Sequence, residues 1–368
     1  MADAFEDRLE SSLKAISEEL DGERNVKVKE KNRHVGFNSY QKVIDMADVV
    51  ILATPPGFRP LHFKYAIDND KHVFMEKPVA TDANGVRQVL KSAKVAKKKK
   101  LNVVVGLQRR YQNSYNSTLK LINNGNIGKI VSGQVYWNSA GVWVRKRVKG
   151  QTEMEYQMRN WYYFNWLCGD HILEQHIHNI DVANWFIGEY PNSASGMGGR
   201  EVRNGIDHGE IFDHHFVEFK YPSGAIISSQ CRHQPGTKYD VSEAFQGTKG
   251  NVVTSGDYCK IIDHNGNDMF KHDPSNDISP YQIEHDRLFE SIRSGGVINN
   301  AEYGAKSTLT AIMGRMATYT GKEITWEQAL NSQQVLVPND LSWNSTPPTL
   351  PDSNGRYSIP KPGQTKLI

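Results

Sequence analysis

Two short stretches of the chain place ionisable residues at spacings that could do chemistry. In MEKPVATD (75–82), Glu76 and Lys77 follow directly on an apolar run, with Pro78 stiffening the turn behind them. A lysine so placed can hydrogen-bond a substrate hydroxyl and favour its deprotonation, and a neighbouring carboxylate can tune it. In CGDHILEQHIHNID (168–181), Glu174 and His178 are four residues apart and so share one face of a helix. Carboxylate and imidazole at that spacing could orient one another for proton transfer. His171 falls on roughly the same face, but the trio lacks a third ligand from another element, so no metal is expected. The aromatic run NWYYFNW (160–166) reads first as core packing, although aromatic faces beside polar groups also line carbohydrate pockets.

These residues must be held by elements that the hydrophobic pattern announces. From residue 1 to about 108, apolar runs alternate with helical periodicity, the signature of a parallel sheet covered by helices. ADVVILATP (47–55), HVFMEKP (72–78) and LNVVVGLQ (101–108) read as strands, with PLHFKYAIDND and DANGVRQVLKSAKVAKKKK as the crossover helices. Thr81 or Asp82 would cap the second helix, and the lysines at 97–100 would complement the dipole of its last turn. Thr54, Pro55 and Pro56 end one strand and Glu76 ends the next. Parallel-sheet proteins bind ligands at such strand ends, and two of them point to one crevice.

After Gly128 the pattern changes to alternation by twos. GKIVSGQVYW, HHFVEFKYPSGAIISSQCRH and KGNVVTSGDYCKIID predict a mainly antiparallel sheet, with a PSG turn joining two strands. Helices are expected over 172–188, 280–295 and 305–321, the last ending on a Gly suited to a C-cap. From Pro338 the chain has no periodicity and reads as an extension over the surface. The division expected is 1–110, 111–335 and 336–368. The fold class expected is an incomplete doubly wound (Rossmann) parallel sheet, followed by an α+β domain with an open, mainly antiparallel sheet.

A chain of 368 residues is longer than one core usually grows, and a net charge of +3 provides no broad reason to expect nucleic acid. Cys168, Cys231 and Cys259 are too scattered for a disulfide framework or a metal knuckle and read as buried thiols. No apolar run reaches the roughly 18 residues of a membrane span. No basic run followed by an apolar segment marks a signal peptide, so the chain as written reads as cytoplasmic, with periplasmic export left open to an upstream signal.

With these residues in view, the chain resembles the glucose-fructose oxidoreductase/inositol dehydrogenase/rhizopine catabolism (Gfo/Idh/MocA) family of NAD(P)-dependent sugar oxidoreductases. The resemblance rests on a strand ending in T-P with a histidine beyond it, E-K-P at the next strand end, and a helix carrying an acid-x-x-x-His. GLQRRY, FQGTKGNVV and the segment from SGGVINN to TWEQ extend it along the chain. It implies that Lys77 contacts both nicotinamide and substrate, that His178 is the acid/base, and that Glu174 supports it. Thr54, Pro55, Pro56, His62 and Glu76 match cofactor-lining positions, and Gln108 and Arg110 fall at the strand end facing nicotinamide and substrate. Tyr163 and His176 are the further substrate-side candidates. The implied reaction is hydride transfer from a CH–OH carbon of a sugar, cyclitol or glycoside; the alternatives are a nicotinamide-recycling lyase or glycosidase and a non-catalytic sugar-binding relative. A homo-oligomer is expected by analogy.

Two departures qualify the resemblance. Glu174 stands where the family usually has Asp, and His176 where it has a small residue, which leaves the substrate open. The family also opens with a strand, a G-x-G-x-x-G turn and a helix, followed by an acid that binds the adenosine ribose. Asp3 matches that acid and favours NAD over NADP, but no glycine turn of that kind is present, and GMGGREV (196–202) does not reproduce its spacing. The expectation is therefore a chain that starts inside its dinucleotide domain, with a split sheet and weak dinucleotide binding.

Overall fold

The computed structural model describes residues 1–20, 25–339 and 341–366. Strands and helices alternate through the first part: β1 (Ala2–Asp3), α1 (Glu6–Glu19), β2 (His34–Val35), α2 (Ser39–Met46), β3 (Val49–Leu52), α3 (Arg59–Asp68), β4 (His72–Met75), α4 (Ala83–Lys98), β5 (Val103–Val105) and α5 (Asn113–Asn123). Every pairing here is parallel. The strands form two ladders, β1 beside β2 and β3–β4–β5, with no hydrogen bonds joining them among the described residues. Along β3, Val50 and Leu52 are buried in the main core while Ile51, on the other face, stays 59% exposed.

The helix signals act as their chemistry requires. Val86, Val89, Ala93 and Ala96 form the buried stripe of α4. The carboxylate of Asp82 caps that helix by accepting from the Gly85 N–H at 2.7 Å, and Lys97 and Lys98 occupy its last turn.

The second part comprises β6 (Ile130–Ser139), α6 (Glu153–Arg159), α7 (Asn165–Cys168), α8 (His171–Glu174), α9 (Ile177–Ile187), β7 (Ser193–Gly199), β8 (His214–Lys220), β9 (Ile226–His233), β10 (Asp240–Gly247), β11 (Gly250–Ser255), β12 (Tyr258–Asp263) and β13 (Asp268–Lys271). It closes with α10 (Pro280–Ser294), α11 (Ala301–Thr320), β14 (Ile324–Thr325) and α12 (Trp326–Asn331). One nine-stranded sheet runs β13-β12-β11-β10-β6-β9-β8-β7-β14, antiparallel everywhere except the β6–β9 seam. The three GMGGREV glycines all fall on β7.

The long α11 joins the two parts. It touches α4 on one side and α9 and β7 on the other. From it, Arg315 donates to the Thr81 carbonyl of the first part and to the Gly169 carbonyl of the second. Gly321 ends α11 with φ 71°, where its missing side chain removes the steric cost.

Two expectations need correction. The single helix over 172–188 is two helices, because the backbone breaks at Gln175–His176 between α8 and α9. The tail beyond Asn331 has no helix or strand among its described residues, yet it packs rather than merely lying on the surface. Trp343 packs at a tilt against Phe5 and Phe37 with ring centroids 5.0 and 4.7 Å away, and Tyr357 is buried against Phe164. The three cysteines are buried and unpaired, as their scatter predicts.

Candidate active site

The site is built where the ends of β3, β4 and β5 meet α8 and α9. Leaving β4, the chain presents Glu76 and Lys77, and the Lys77–Pro78 peptide is cis. The Glu76 carboxylate lies over Gly106 just past β5, so close that a Cβ there would come within 2.7 Å of its Oε2 and push the carboxylate aside. Lys77 reaches across to the second part. Its ammonium donates to the Glu174 carbonyl and lies 3.4 Å from Glu174 Oε1, with the two side chains 13% and 11% exposed. Both are thus nearly removed from water yet still reachable.

Burial raises the pKa of Glu174 above the ordinary carboxylate value, and the Lys77 charge only partly offsets this. Burial holds His178 well below its usual 6.5, and the nearby positive charges of Lys77 and Arg109 add to that effect. Its imidazole is therefore neutral at pH 7. The ring stacks on Trp137 of β6 at 5.8 Å, and its Nδ1 has no hydrogen-bond partner. A neutral base, an ammonium and a carboxyl that can hold a proton therefore share one crevice. The break before α9 sets Glu174 and His178 on separate helices, so their relation is tertiary and not the shared helix face that their spacing predicts.

At the end of β3, the Thr54 hydroxyl lies 3.2 Å from His62 Nδ1, and Pro56 begins the turn into α3. His62 is stacked between Tyr40 and Phe58, and burial lowers its pKa to about 3. Past β5, Gln108 Oε1 is buried without a partner.

Three other predicted residues are occupied elsewhere. Arg110 grips Asp181 of α9 through two 2.8 Å hydrogen bonds and lies against Tyr303, so it braces the second part instead of facing the crevice. The His176 ring is fully buried, with Nε2 2.7 Å from the Ser229 hydroxyl on β9. Tyr163 is 1% exposed, and its hydroxyl donates to main-chain carbonyls at Val142 and Trp143 while accepting from Arg203.

Their sequence neighbours act on the site electrostatically. Tyr162 is buried with a hydroxyl that lacks a partner, and the Glu174 carboxylate adds to burial in raising its pKa. Arg109, bonded to buried Glu243, supplies one of the charges acting on His178. Arg59, also missed, is buried at the start of α3. It donates to the Leu52 carbonyl at 2.6 Å and lies within electrostatic reach of Glu76 and Glu174. Its position in FRPLHF was the only available signal.

A nicotinamide cofactor can be tested against this geometry end by end. The unpartnered Gln108 oxygen suits a carboxamide N–H, and Lys77 stands beside it in the chain's crossover order. A cavity of about 480 Å³ opens past β2, lined by Arg33, Asn38, Lys42 and Trp343 among others. It adjoins Asp3, whose carbonyl accepts from Gly36 at 3.0 Å, while its carboxylate accepts from Phe5 at 2.9 Å. The pyrophosphate segment fits less well. Among the described residues no G-x-G-x-x-G turn opens a helix to cradle it.

The profile of an oxidoreductase family with an NAD-binding Rossmann fold, GFO/IDH/MocA, matches residues 6–107, and the GFO/IDH/MocA C-terminal domain matches residues 115–253. The chain is 28% identical over 210 residues to a 2,7-anhydro-N-acetylneuraminate hydratase of Escherichia coli, a match covering 56% of this chain and 51% of the hydratase. It therefore spans about half the length of that relative. It is 26% identical over 259 residues to an inositol 2-dehydrogenase of Rhizobium meliloti, covering 68% of this chain and 72% of the dehydrogenase. Among solved structures, an aldose-aldose oxidoreductase from Caulobacter crescentus in complex with glycerol superposes with a TM-score of 0.68 at 17% identity, covering 88% of this chain and 90% of that one. A levoglucosan dehydrogenase in complex with NADH and levoglucosan gives 0.68 at 15%, covering 88% of each. At such identities these two likenesses establish the shared fold.

Proposed function

We propose, for a chain that belongs to the GFO/IDH/MocA oxidoreductase family, that it is a nicotinamide-dependent oxidoreductase acting on a CH–OH group of a sugar, cyclitol or glycoside. The observation that carries this reading is the Lys77–Glu174 contact beside the neutral imidazole of His178. In this reading the Lys77 ammonium orients the substrate hydroxyl, and Glu174 holds that ammonium in place. His178, unprotonated at neutral pH, accepts the hydroxyl proton as the carbon loses its hydride. The cofactor, when bound, supplies the hydride acceptor. Glu76, Gln108, Thr54 and His62 would surround its nicotinamide end, and Asp3 at the β1 end favours NAD over NADP because a carboxylate repels a 2′-phosphate.

The likeness to the hydratase supports a second reading of the same crevice, a redox-neutral elimination or hydration in which the cofactor is recycled. A carboxyl with a raised pKa and a neutral imidazole provide the acid and base that such a step needs. The two readings part on one measurement. The full chain is incubated with NAD and a panel of pyranosides, anhydrosugars and cyclitols, while reduced nicotinamide is followed by absorbance and products by mass spectrometry. Net reduced cofactor with a product two hydrogens lighter supports the dehydrogenase. A product lighter or heavier by water, with no net reduced cofactor, supports the recycled route. No conversion of any member, with NAD or with NADP in its place, would overturn both.

A further inference from the structure

Behind the active site, at the start of α8, a second cluster of ligating side chains lies wholly within the protein. Asp170, His171 and His215 offer three ligand atoms within 4.8 Å of one another, and all three side chains are fully buried. Asp170 Oδ1 lies 2.9 Å from His171 Nδ1 and 3.3 Å from His215 Nε2. Neither approach has hydrogen-bond geometry, and both ring nitrogens are left without partners. Atoms that close, whose N–H directions miss each other, are what results when lone pairs are aimed at a shared point between them.

The proton count on His215 sharpens this. Its Nδ1 is 2.9 Å from the Thr318 hydroxyl, which donates its own hydrogen to the Arg315 carbonyl. Thr318 must therefore accept, and Nδ1 must carry the imidazole hydrogen. In the neutral ring, Nε2 is then a bare lone pair facing a carboxylate oxygen. Two lone pairs at that distance repel unless a cation lies between them. Oδ1 itself accepts from the His171 main-chain N–H at 2.5 Å, and the second carboxylate oxygen is committed to the Phe212 N–H at 3.0 Å and to the Tyr319 hydroxyl, which fixes the carboxylate plane.

We propose that Asp170, His171 and His215 hold a divalent transition-metal ion, zinc by preference, that ties the start of α8 to strand β8. Two imidazole nitrogens and one carboxylate oxygen form a borderline donor set that suits zinc, and three protein ligands leave one position for a non-protein ligand. Thr318 behind His215 is the kind of outer partner that fixes the tautomer of a metal-bound histidine. Asp170 is also one of three non-glycine residues with positive φ among those described, at 76° with ψ 160°. That backbone conformation is essentially reserved for glycine, and is retained where the surrounding structure gains from the side chain's position. His233 stacks on His171 at 4.5 Å with both ring nitrogens unpartnered, closing the cluster on its other side. The ion's role is structural. The cluster is sealed from solvent, and α8 ends at Glu174, which positions Lys77.

The test uses the full, untagged chain expressed with zinc, and reads metal content by inductively coupled plasma mass spectrometry. About one zinc per chain is expected, falling at least about fivefold in His215→Gln and in Asp170→Asn. Should those variants fail to fold, the wild-type chain decides the matter. Chelation should lower its thermal midpoint and zinc should restore it, while cobalt exchange should produce the visible absorption bands of a low-symmetry site. Less than about one tenth of a metal per chain, with a midpoint indifferent to chelator, zinc and cobalt, would overturn the proposal. So would zinc retained undiminished in folded His215→Gln and Asp170→Asn proteins.

Discussion

The ammonium of Lys77, just past β4, bonds the main-chain carbonyl and approaches the carboxylate of Glu174, 97 residues further along at the end of α8. One side chain thus fastens the two halves of the crevice to each other. Removing it takes away the group that orients substrate and leaves Glu174 buried beside Glu76 without its counter-charge. Lys77→Met should lower kcat/KM by about a hundred- to ten-thousand-fold while the protein stays folded. Steady-state kinetics beside circular dichroism check this, and activity within twofold of wild type would remove Lys77 from the chemistry.

His178 predicts the shape of the pH profile. A base works when unprotonated, and burial depresses this imidazole's pKa well below 6.5. The rate of the oxidation should therefore stay on its plateau as pH falls through 6.5, rather than halving there as an exposed histidine would make it. His178→Asn should lower the plateau by about a hundredfold or more. A profile of kcat/KM against pH that turns down near 6.5 and is unchanged in shape by the substitution would assign the base to another residue.

Stability should also depend on pH through His176. Its pKa is about 3 in the folded chain against an ordinary 6.5, because the ring is fully buried. Below pH 6.5 the unfolded chain takes up a proton that the folded chain refuses, so stability is full above that pH and falls as the solution is acidified toward 3. One such group contributes a loss of about 1.4 kcal/mol per pH unit. Urea unfolding at pH 7.5 and pH 5 should show His176→Gln losing about 2 kcal/mol less than wild type across that interval. Equal losses in the two proteins would mean that the imidazole is protonated in the native state.

Glu284 on α10 should respond in the opposite direction. Burial and the nearby Glu76 carboxylate raise its pKa to about 8 from 4.5, and its Oε2 has no partner. Between those values the unfolded chain is ionised and the folded one protonated, so stability declines as pH rises through this window. Glu284→Gln removes the penalty and should stabilise the protein at pH 7 by about 1–3 kcal/mol, seen as a higher denaturation midpoint. A midpoint that falls would show the carboxylate to be ionised and partnered.

Arg110 tests the correction made to its role. Its bidentate pair with buried Asp181 predicts that Arg110→Met destabilises by about 3–5 kcal/mol, and that adding Asp181→Asn recovers part of the loss. Dinucleotide affinity should be unchanged in whatever fraction folds. If affinity instead drops tenfold at constant stability, Arg110 belongs to the cofactor site after all.

Much of the architecture could be read directly from the chain because its causes are local. Period-two and helical hydrophobic patterns announced the parallel and mainly antiparallel halves, Asp82 announced a cap, and the strand end before Pro78 announced Lys77. Position along a strand or helix needs only neighbours in sequence. Less legible were Tyr163, His176 and Arg110, whose placement turned on a side chain's direction after packing. Tyr162 and Tyr163, like Arg109 and Arg110, are adjacent residues within one short 3-10 turn, where a step of one residue turns the side chain to a different side, so Tyr162 and Arg109 act on Glu174 and His178 while Tyr163 and Arg110 bond elsewhere. Helical spacing joined Glu174 to His178, but the break at Gln175–His176 gave that relation to the fold, with Lys77 arriving from the end of β4.

The buried Asp170–His171–His215 cluster shows the same division. Two of its members are adjacent in sequence, but the third comes from β8 and only the packing of α8 against the sheet brings it within 3.3 Å. Residue types and local pattern determined which chemistry this chain can carry and on which elements. Which groups meet, and in what charge state, was decided by tertiary packing, because distance and desolvation set pKa values and contacts and neither is encoded in any single segment.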